Sequence, residues 1–241
     1  MQVVRKISRA SIVVLFVLLV VVARFRVAAA FREHGVPDKI APAGGRFVQL
    51  SNGRIFVQER GRRVGCGRKP PPIPVGYFYG GGPAAEFSLR EPGRLRKPVL
   101  VDAALGISDA PKNSLPVPLR SQALREVLVN LTASNPLITR RILVTFIYRK
   151  DRAIPKYVAI LSRPLTKRDY TPAVARWLPR PLSVDAHALS AREDSWRQLD
   201  LPVQILWGDE DTVSPLAQAE HIAELLPKSR LTVLLGVGHI P

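Results

Sequence analysis

Residues 201–241 read LPVQILWGDEDTVSPLAQAEHIAELLPKSRLTVLLGVGHIP, and the fold is decided here. VQILW (203–207) and LTVLL (231–235) are short, uninterrupted apolar runs, the pattern of parallel strands buried on both faces. Between them Leu216, Ala219, Ile222, Ala223 and Leu226 recur at helical spacing. Strand, helix and strand in that order make a β-α-β crossover, which requires a mostly parallel sheet.

Upstream, PVLVDAA (98–104) is a third run of the same kind. Residues 120–178 hold helical stretches such as SQALREVLVNL and PLITRRILVTFIY, separated by Pro136, Pro155, Pro164 and Pro172. This reads as a helical insertion in an α/β frame. Nearer the N-terminus, RFVQL and RIFVQE flank Ser51-Asn52-Gly53, and Asn-Gly between β-rich runs predicts an antiparallel hairpin over 46–59. The following stretch carries five bases between Arg60 and Lys69 and then three prolines, so it is a loop.

With 241 residues, 46% of them apolar and 23% charged, the chain can bury a full core, and disorder is excluded as its overall state. The single Cys66 excludes an intrachain disulfide and any multi-cysteine zinc site. Four scattered histidines argue against a histidine-rich metal site, so no cofactor is expected. The formal net charge of +17 raises the question of a nucleic-acid partner. The basic run at 60–69 has no interleaved aromatics and no nucleic-acid motif, so it reads as a solvated loop and no nucleic acid is expected.

Residues 10–23 (ASIVVLFVLLVVVA) carry no charge and follow Arg5, Lys6 and Arg9. A basic flank before an apolar run has two readings: a secretory signal cleaved near Ala28–Ala30, or a short anchor whose Arg24 and Arg26 snorkel to the interface. Either one sends the remaining chain to or beyond a membrane, as a membrane-anchored or a secreted or periplasmic protein.

The C-terminal stretch also resembles the end of the α/β-hydrolase family, whose W-G-x-x-D-x-x-x-P strand-loop supplies an acid and whose later G-x-G-H supplies a histidine. The resemblance implies Asp211 as triad acid and His239 as triad base, in the family's order of nucleophile, acid, histidine. IPVGYFYGGGPAAEFSLREPGRLRKPVLVDAALG is similar to the family's nucleophile elbow, its helix and the next strand. In that register Gly76, Gly80 and Gly81 hold the elbow glycines, Tyr77 stands where histidine is common, and Phe78 stands at the nucleophile position in place of serine. Each change can arise by a single C-to-T transition from GHSYGG, which suggests decay of an ordinary elbow. Phenylalanine has no lone pair to attack with, so the resemblance implies an impaired or dead enzyme.

Substitutes for the missing nucleophile are weak. Cys66 sits in GCG within a Pro/Arg-rich loop with no strand before it, and Ser88 and Ser108 read as solvated or capping hydroxyls. Asp102 ends a strand, where some hydrolases carry an alternative triad acid, and with Asp211 present it reads as structural; His34, His187 and His221 carry no motif, and His221 reads as a surface residue.

The family order implies two strands, two helices and an HG-type oxyanion loop between the hairpin and the elbow. Only about fifteen residues (61–75) stand there. This leaves the Tyr79 N–H as the one expected oxyanion donor, and losing its companion costs about 3 kcal/mol of transition-state stabilisation. Pro74 falls in what the family makes a central strand, and the family's closing helix after the histidine has no counterpart before Pro241.

The expected fold is therefore α/β: a mostly parallel, incomplete α/β-hydrolase sheet, internally deleted and C-terminally truncated, with a helical cap. Expected boundaries are a signal or anchor (1–32), the first part of the core (33–110), the cap (111–195) and the rest of the core (196–241). The resemblance implies hydrolysis of esters or similar small apolar molecules. The alternatives are a membrane-tethered binding protein without chemistry, or the remnant of a decayed or mispredicted hydrolase gene.

Overall fold

In a computed structural model of the protein, residues 9–35, 45–50, 53–58, 70–105, 116–179 and 187–241 are described. Cys66, Ser108, the basic loop and the Ser51-Asn52 tip of the hairpin lie outside them.

Four strands form one parallel sheet: β3 (Val75–Tyr77), β4 (Val99–Val101), β5 (Val203–Gly208) and β6 (Ser229–Leu234), in the order β3-β4-β5-β6. The three apolar runs are thus strands, with β4 shorter than 98–104 because Asp102 turns to φ +41 and ends it. The crossover helix forms as read, over Leu216–Leu225. Leu100, Val203, Ile205 and Trp207 from the sheet pack with Ala219 and Ile222 from that helix and with Trp196, all nearly inaccessible to solvent. Both buried indoles satisfy their N–H groups, Trp196 on the Ser190 carbonyl (3.0 Å) and Trp207 on the Ser214 carbonyl (2.7 Å).

The strand before the elbow is at the edge of this sheet and not at its centre. It begins just after Pro74, whose carbonyl accepts the Val99 N–H at 2.9 Å. The hairpin, β1 (Gly45–Leu50) and β2 (Gly53–Gln58), pairs antiparallel with Phe47 opposite Phe56. Among the described residues it forms its own two-stranded sheet and shares no ladder with the main one.

After the elbow comes α2 (Gly81–Arg90). The insertion contains α3 (Val117–Arg120), α4 (Gln122–Leu131), α5 (Thr139–Phe146), α6 (Pro155–Ser162) and α7 (Tyr170–Trp177), and the chain returns through α8 (Glu193–Arg197) to β5. Prolines fall at the first position of α6 and near the start of α7, where the missing N–H costs nothing. The returning chain is tied to the core by Glu86, whose carboxylate accepts the Leu189 and Ser190 N–H groups at 3.1 and 2.9 Å. Those bonds, with Arg90, hold its pKa below the ordinary carboxylate value against the opposing effect of burial.

The N-terminal run is one helix, α1 (Arg9–Arg32), and Ser11–Arg32 is long and apolar enough to cross a membrane, as an anchor or a signal sequence would be.

Candidate functional site

The site assembles at the carboxyl ends of β3, β5 and β6, where an open parallel sheet leaves a crevice. Asp211 lies on the loop after β5. Its Oδ1 accepts the Val213 and Ser214 N–H groups at 2.7 and 2.9 Å, so the local turn fixes the carboxylate. Its Oδ2 lies 2.8 Å from His239 Nδ1. Both side chains are buried, at 0% and 3% exposure, so the pair is shielded from competition by water.

The loop that carries His239 follows β6 and is held at several points. Gly208 permits it to pass, because any Cβ there would overlap the Val237 carbonyl. Val237 N–H donates to Asp209 Oδ1 at 3.2 Å, Ile240 N–H to the Phe146 carbonyl at 3.1 Å, and the Tyr77 hydroxyl to the His239 carbonyl at 2.8 Å. Burial, with the Asp102 and Asp211 carboxylates adding to it, pushes the Tyr77 hydroxyl up to about 12, so it remains a donor across the physiological range.

The elbow has the geometry that its glycines require. A Cβ on Gly76 would meet the Gly80 carbonyl at 2.6 Å and Gly81 Cα at 2.7 Å, and one on Gly81 would overlap Ala103. Gly80 stands in open space. Between them Phe78 adopts φ +47, a conformation that a bulky residue rarely takes and that costs on the order of 1–3 kcal/mol. The turn displays the benzyl group directly to the histidine: the Phe78 and His239 ring centroids are 4.3 Å apart, edge to face. His239 Nε2, the atom that would receive a proton from a nucleophile, is buried and has no hydrogen-bond partner among the described residues. The Tyr77 and Phe146 rings, each with its centroid 5.7 Å from the imidazole, complete an aromatic enclosure.

Other sequence-predicted residues fall into place around this pair. Tyr79 follows Phe78; its ring packs against Phe78 (4.0 Å between centroids) and edge-on against Trp177 of α7 (5.0 Å). Asp102 is fully buried, with Oδ1 accepting the Gly208 N–H at 2.9 Å and Oδ2 unpartnered among the described residues. Burial raises its pKa first, with Asp211 adding to this and the Gly208 N–H opposing it. Ser88 is a correction: far from being solvated or capping, it is buried within α2, and its hydroxyl donates to the Ala84 carbonyl one turn back at 2.7 Å. His221 is half-buried with Nε2 3.0 Å from Glu193, and His34 stacks on Phe31. Among the described residues no cluster of His, Cys, Asp and Glu could hold a metal ion.

Four contributors escaped the sequence reading. The two backbone donors to Asp211 were legible as an Asx turn in D-T-V-S. Phe146 and the hydroxyl role of Tyr77 carry no local signal, because both depend on the cap and the His239 loop meeting across long separations. The last is a mostly apolar cavity of about 500 Å³ on the cap side of that loop, lined by Leu143, Ile147, Tyr157, Ile160, Val237 and Ile240, with Arg149 and Arg152 also on its wall.

A profile of the alpha/beta hydrolase fold family matches residues 68–241. The chain belongs to that family. It is 26% identical over 171 residues to an uncharacterized protein of Mycobacterium tuberculosis, covering 69% of this chain and 50% of the relative. It is 25% identical over 165 residues to 2-hydroxy-6-oxo-2,4-heptadienoate hydrolase of Pseudomonas putida, covering 68% and 55%. The chain thus spans about half the length of the curated relatives it matches. Solved structures share its fold at lower identity. A putative lipase from Acinetobacter baumannii superposes with a TM-score of 0.52 at 19% identity, covering 69% of this chain and 54% of that one. The 2-hydroxy-6-oxo-6-phenylhexa-2,4-dienoate hydrolase from Rhodococcus sp. strain RHA1 gives 0.51 at 19%, covering 68% and 56%.

Proposed function

We propose that this chain is a membrane-tethered member of the α/β-hydrolase family that binds a small apolar, ester-like molecule and does not hydrolyse it by a serine mechanism. The observation that carries the reading is Phe78, a phenyl ring set at the nucleophile position 4.3 Å from the imidazole. In an acyl-transfer site the histidine takes a proton from a hydroxyl within hydrogen-bond reach while the carboxylate stabilises the imidazolium. Asp211 and His239 have the geometry for that relay, and Phe78 offers no proton and no electron pair to it. The Tyr79 N–H, as the sole oxyanion donor of this reading, would have no developing charge to stabilise. The apolar cavity beside Ile147 and Ile240 supports an apolar ligand.

The expected result with p-nitrophenyl acetate and butyrate is no turnover above buffer, unchanged by Asp211→Asn or His239→Ala. Phe78→Ser with Tyr77→His recovers little, because the second oxyanion donor is still lacking. Saturable turnover lost in His239→Ala would overturn the reading. The short join between hairpin and elbow supports a second origin for the same inactivity, a decayed or mispredicted gene. In-frame DNA around codons 60–78 that encodes the missing strands would favour it.

A further inference from the structure

The last turns of α1 are fastened to the cap. Ile12 to Val21 stand exposed, and from Arg26 onward the helix is bound. Arg26 pairs with Glu126 of α4 at 2.8 Å, and Ala29 is buried. The Arg32 guanidinium donates to the Leu165 and Ser134 carbonyls at 3.1 and 2.7 Å, and Glu33 accepts the N–H and the hydroxyl of Thr171. Gly35 N–H donates to the Thr166 carbonyl at 2.8 Å, and Arg168 N–H returns a bond to the Gly35 carbonyl at 3.1 Å. A signal peptidase cut near Ala28–Ala30 would have to open helix that is packed on the cap.

This joint fixes one cap helix beside the exit of α1. The uncharged run of α1 ends at Ala23. With that run in the hydrocarbon core, the roughly 9 Å of helix from Arg26 to Arg32 crosses the headgroup layer, itself about 5–7 Å deep. Leu165 and Thr166, the partners of Arg32 and Gly35, belong to the turn Arg163–Thr166 that directly follows α6. The end of α6 at Ser162 is therefore about 6 Å of chain from the foot of α1.

Water is a poor surrounding for α6. None of its residues is buried, and Lys156 is its one charged residue. Val158 packs inward on the cluster of Leu143, Ile147 and Ala153. Tyr157, Ile160, Leu161 and the preceding Ile154 stand 41–45% exposed. Bases rim this apolar face, because residues 149–163 carry Arg149, Lys150, Arg152, Lys156 and Arg163 against Asp151 alone. Lys156, Ile160 and Arg163 recur at helical spacing, so one stripe alternates cation, apolar group and cation. That pattern suits a helix lying in a membrane interface, with its apolar groups at the acyl boundary and its bases on lipid phosphates. Tyr157, Ile160 and Leu161 also line the cavity beside the His239 loop, so α6 stands between that cavity and the surface.

We infer that α6 lies in the headgroup layer of the membrane that holds α1, its apolar face at the acyl boundary and its bases on anionic phospholipid, so that the cavity meets the bilayer. The inference rests on the reading that α1 stays in the membrane, and the test separates the two. The full chain with Cys66→Ser receives a single new cysteine, Tyr157→Cys or Ile160→Cys on α6, or Glu224→Cys at an exposed position of the crossover helix. Each is labelled with nitrobenzoxadiazole and reconstituted in vesicles of phosphatidylcholine with one quarter phosphatidylglycerol. Flotation after an alkaline carbonate wash reads the anchor, and a chain that no longer floats overturns both readings.

In floating vesicles, a nitroxide near the headgroup end of the acyl chain should quench both α6 labels at least twofold more than the label at 224. It should also quench them more than a nitroxide at the chain terminus does. Lys156→Glu/Arg163→Glu, or vesicles without phosphatidylglycerol, should cut the quenching of the α6 labels at least twofold. A floating chain whose α6 labels are quenched no more than the label at 224 overturns the placement of α6 and leaves the anchor standing. Blue-shifted α6 labels that lipid nitroxides do not reach would show that protein covers the helix, which also overturns the inference. Quenching unchanged by both the charge reversal and the loss of phosphatidylglycerol overturns the anionic surface.

Discussion

Gly80 and Gly81 are adjacent, both with right-handed helical backbone, and the structure assigns them opposite responses to the same methyl group. At Gly81 an added Cβ overlaps Ala103 Cβ and comes within 2.9 Å of Ala103 Cα, and Ala103 is fully buried where β4 gives way to its loop. Neither atom is the flexible end of a side chain, so helix α2 and the strand must move apart. Overpacking of this kind costs about 1–3 kcal/mol, and the reduced freedom of an unfolded alanine returns about 0.4–1 kcal/mol. The net loss for Gly81→Ala is about 1–2 kcal/mol, a fall in Tm of roughly 2–8 °C for a chain of this size. At Gly80 nothing lies within 4 Å, so Gly80→Ala keeps only the unfolded-state gain and raises Tm by roughly 1–3 °C. Thermal unfolding of both variants in the same detergent measures the difference. Gly81→Ala/Ala103→Gly removes one of the two overlaps and restores part of the loss. A Gly81→Ala protein as stable as the parent would refute the close approach of α2 to the end of β4, and with it the register of the elbow.

Three further outcomes follow from named contacts. Asp102 has a pKa raised by burial, so its favourable contribution is complete below the ordinary carboxylate range and is lost as pH rises through the raised value; Asp102→Asn should gain in Tm relative to the parent between pH 4 and 7. A constant Tm difference over that range contradicts this. Tyr77→Phe deletes the hydroxyl that donates to the His239 carbonyl and should cost about 0.5–1.5 kcal/mol in urea unfolding, with no cost if the loop is held by its other bonds alone. In hydrogen exchange, residues 53–58 should exchange faster than 229–234, since β2 belongs to a two-stranded sheet and β6 packs in the core sheet; equal protection would show that the hairpin is anchored.

The parallel sheet was legible because Val203–Gly208, Ser229–Leu234 and the helix between them carry their periodicities locally. The pairing of Asp211 with His239 was legible only through motif, since no periodicity joins residues 28 positions apart. Sheet position was not: Pro74 and the short join to the hairpin mark a disturbance, yet only the assembled order puts β3 at an edge. Ser88 looked solvated because serine usually is, and its turn of helix is buried against the returning chain, where its hydroxyl finds the Ala84 carbonyl. The fastening of α1 to the cap depends on Arg26, Arg32 and Glu33 meeting residues about a hundred or more positions away, for which sequence offers no local sign.

An inactive site requires that nothing in this chain attacks an electrophile with the help of His239. The direct measurement is the intact mass of the full chain after exposure to a fluorophosphonate, beside His239→Ala treated in the same way. With a phenyl ring at position 78 and no hydrogen-bond partner on Nε2 among the described residues, neither protein should gain an adduct. A stoichiometric adduct on one residue of the parent chain, lost in His239→Ala, would contradict the account and identify the nucleophile.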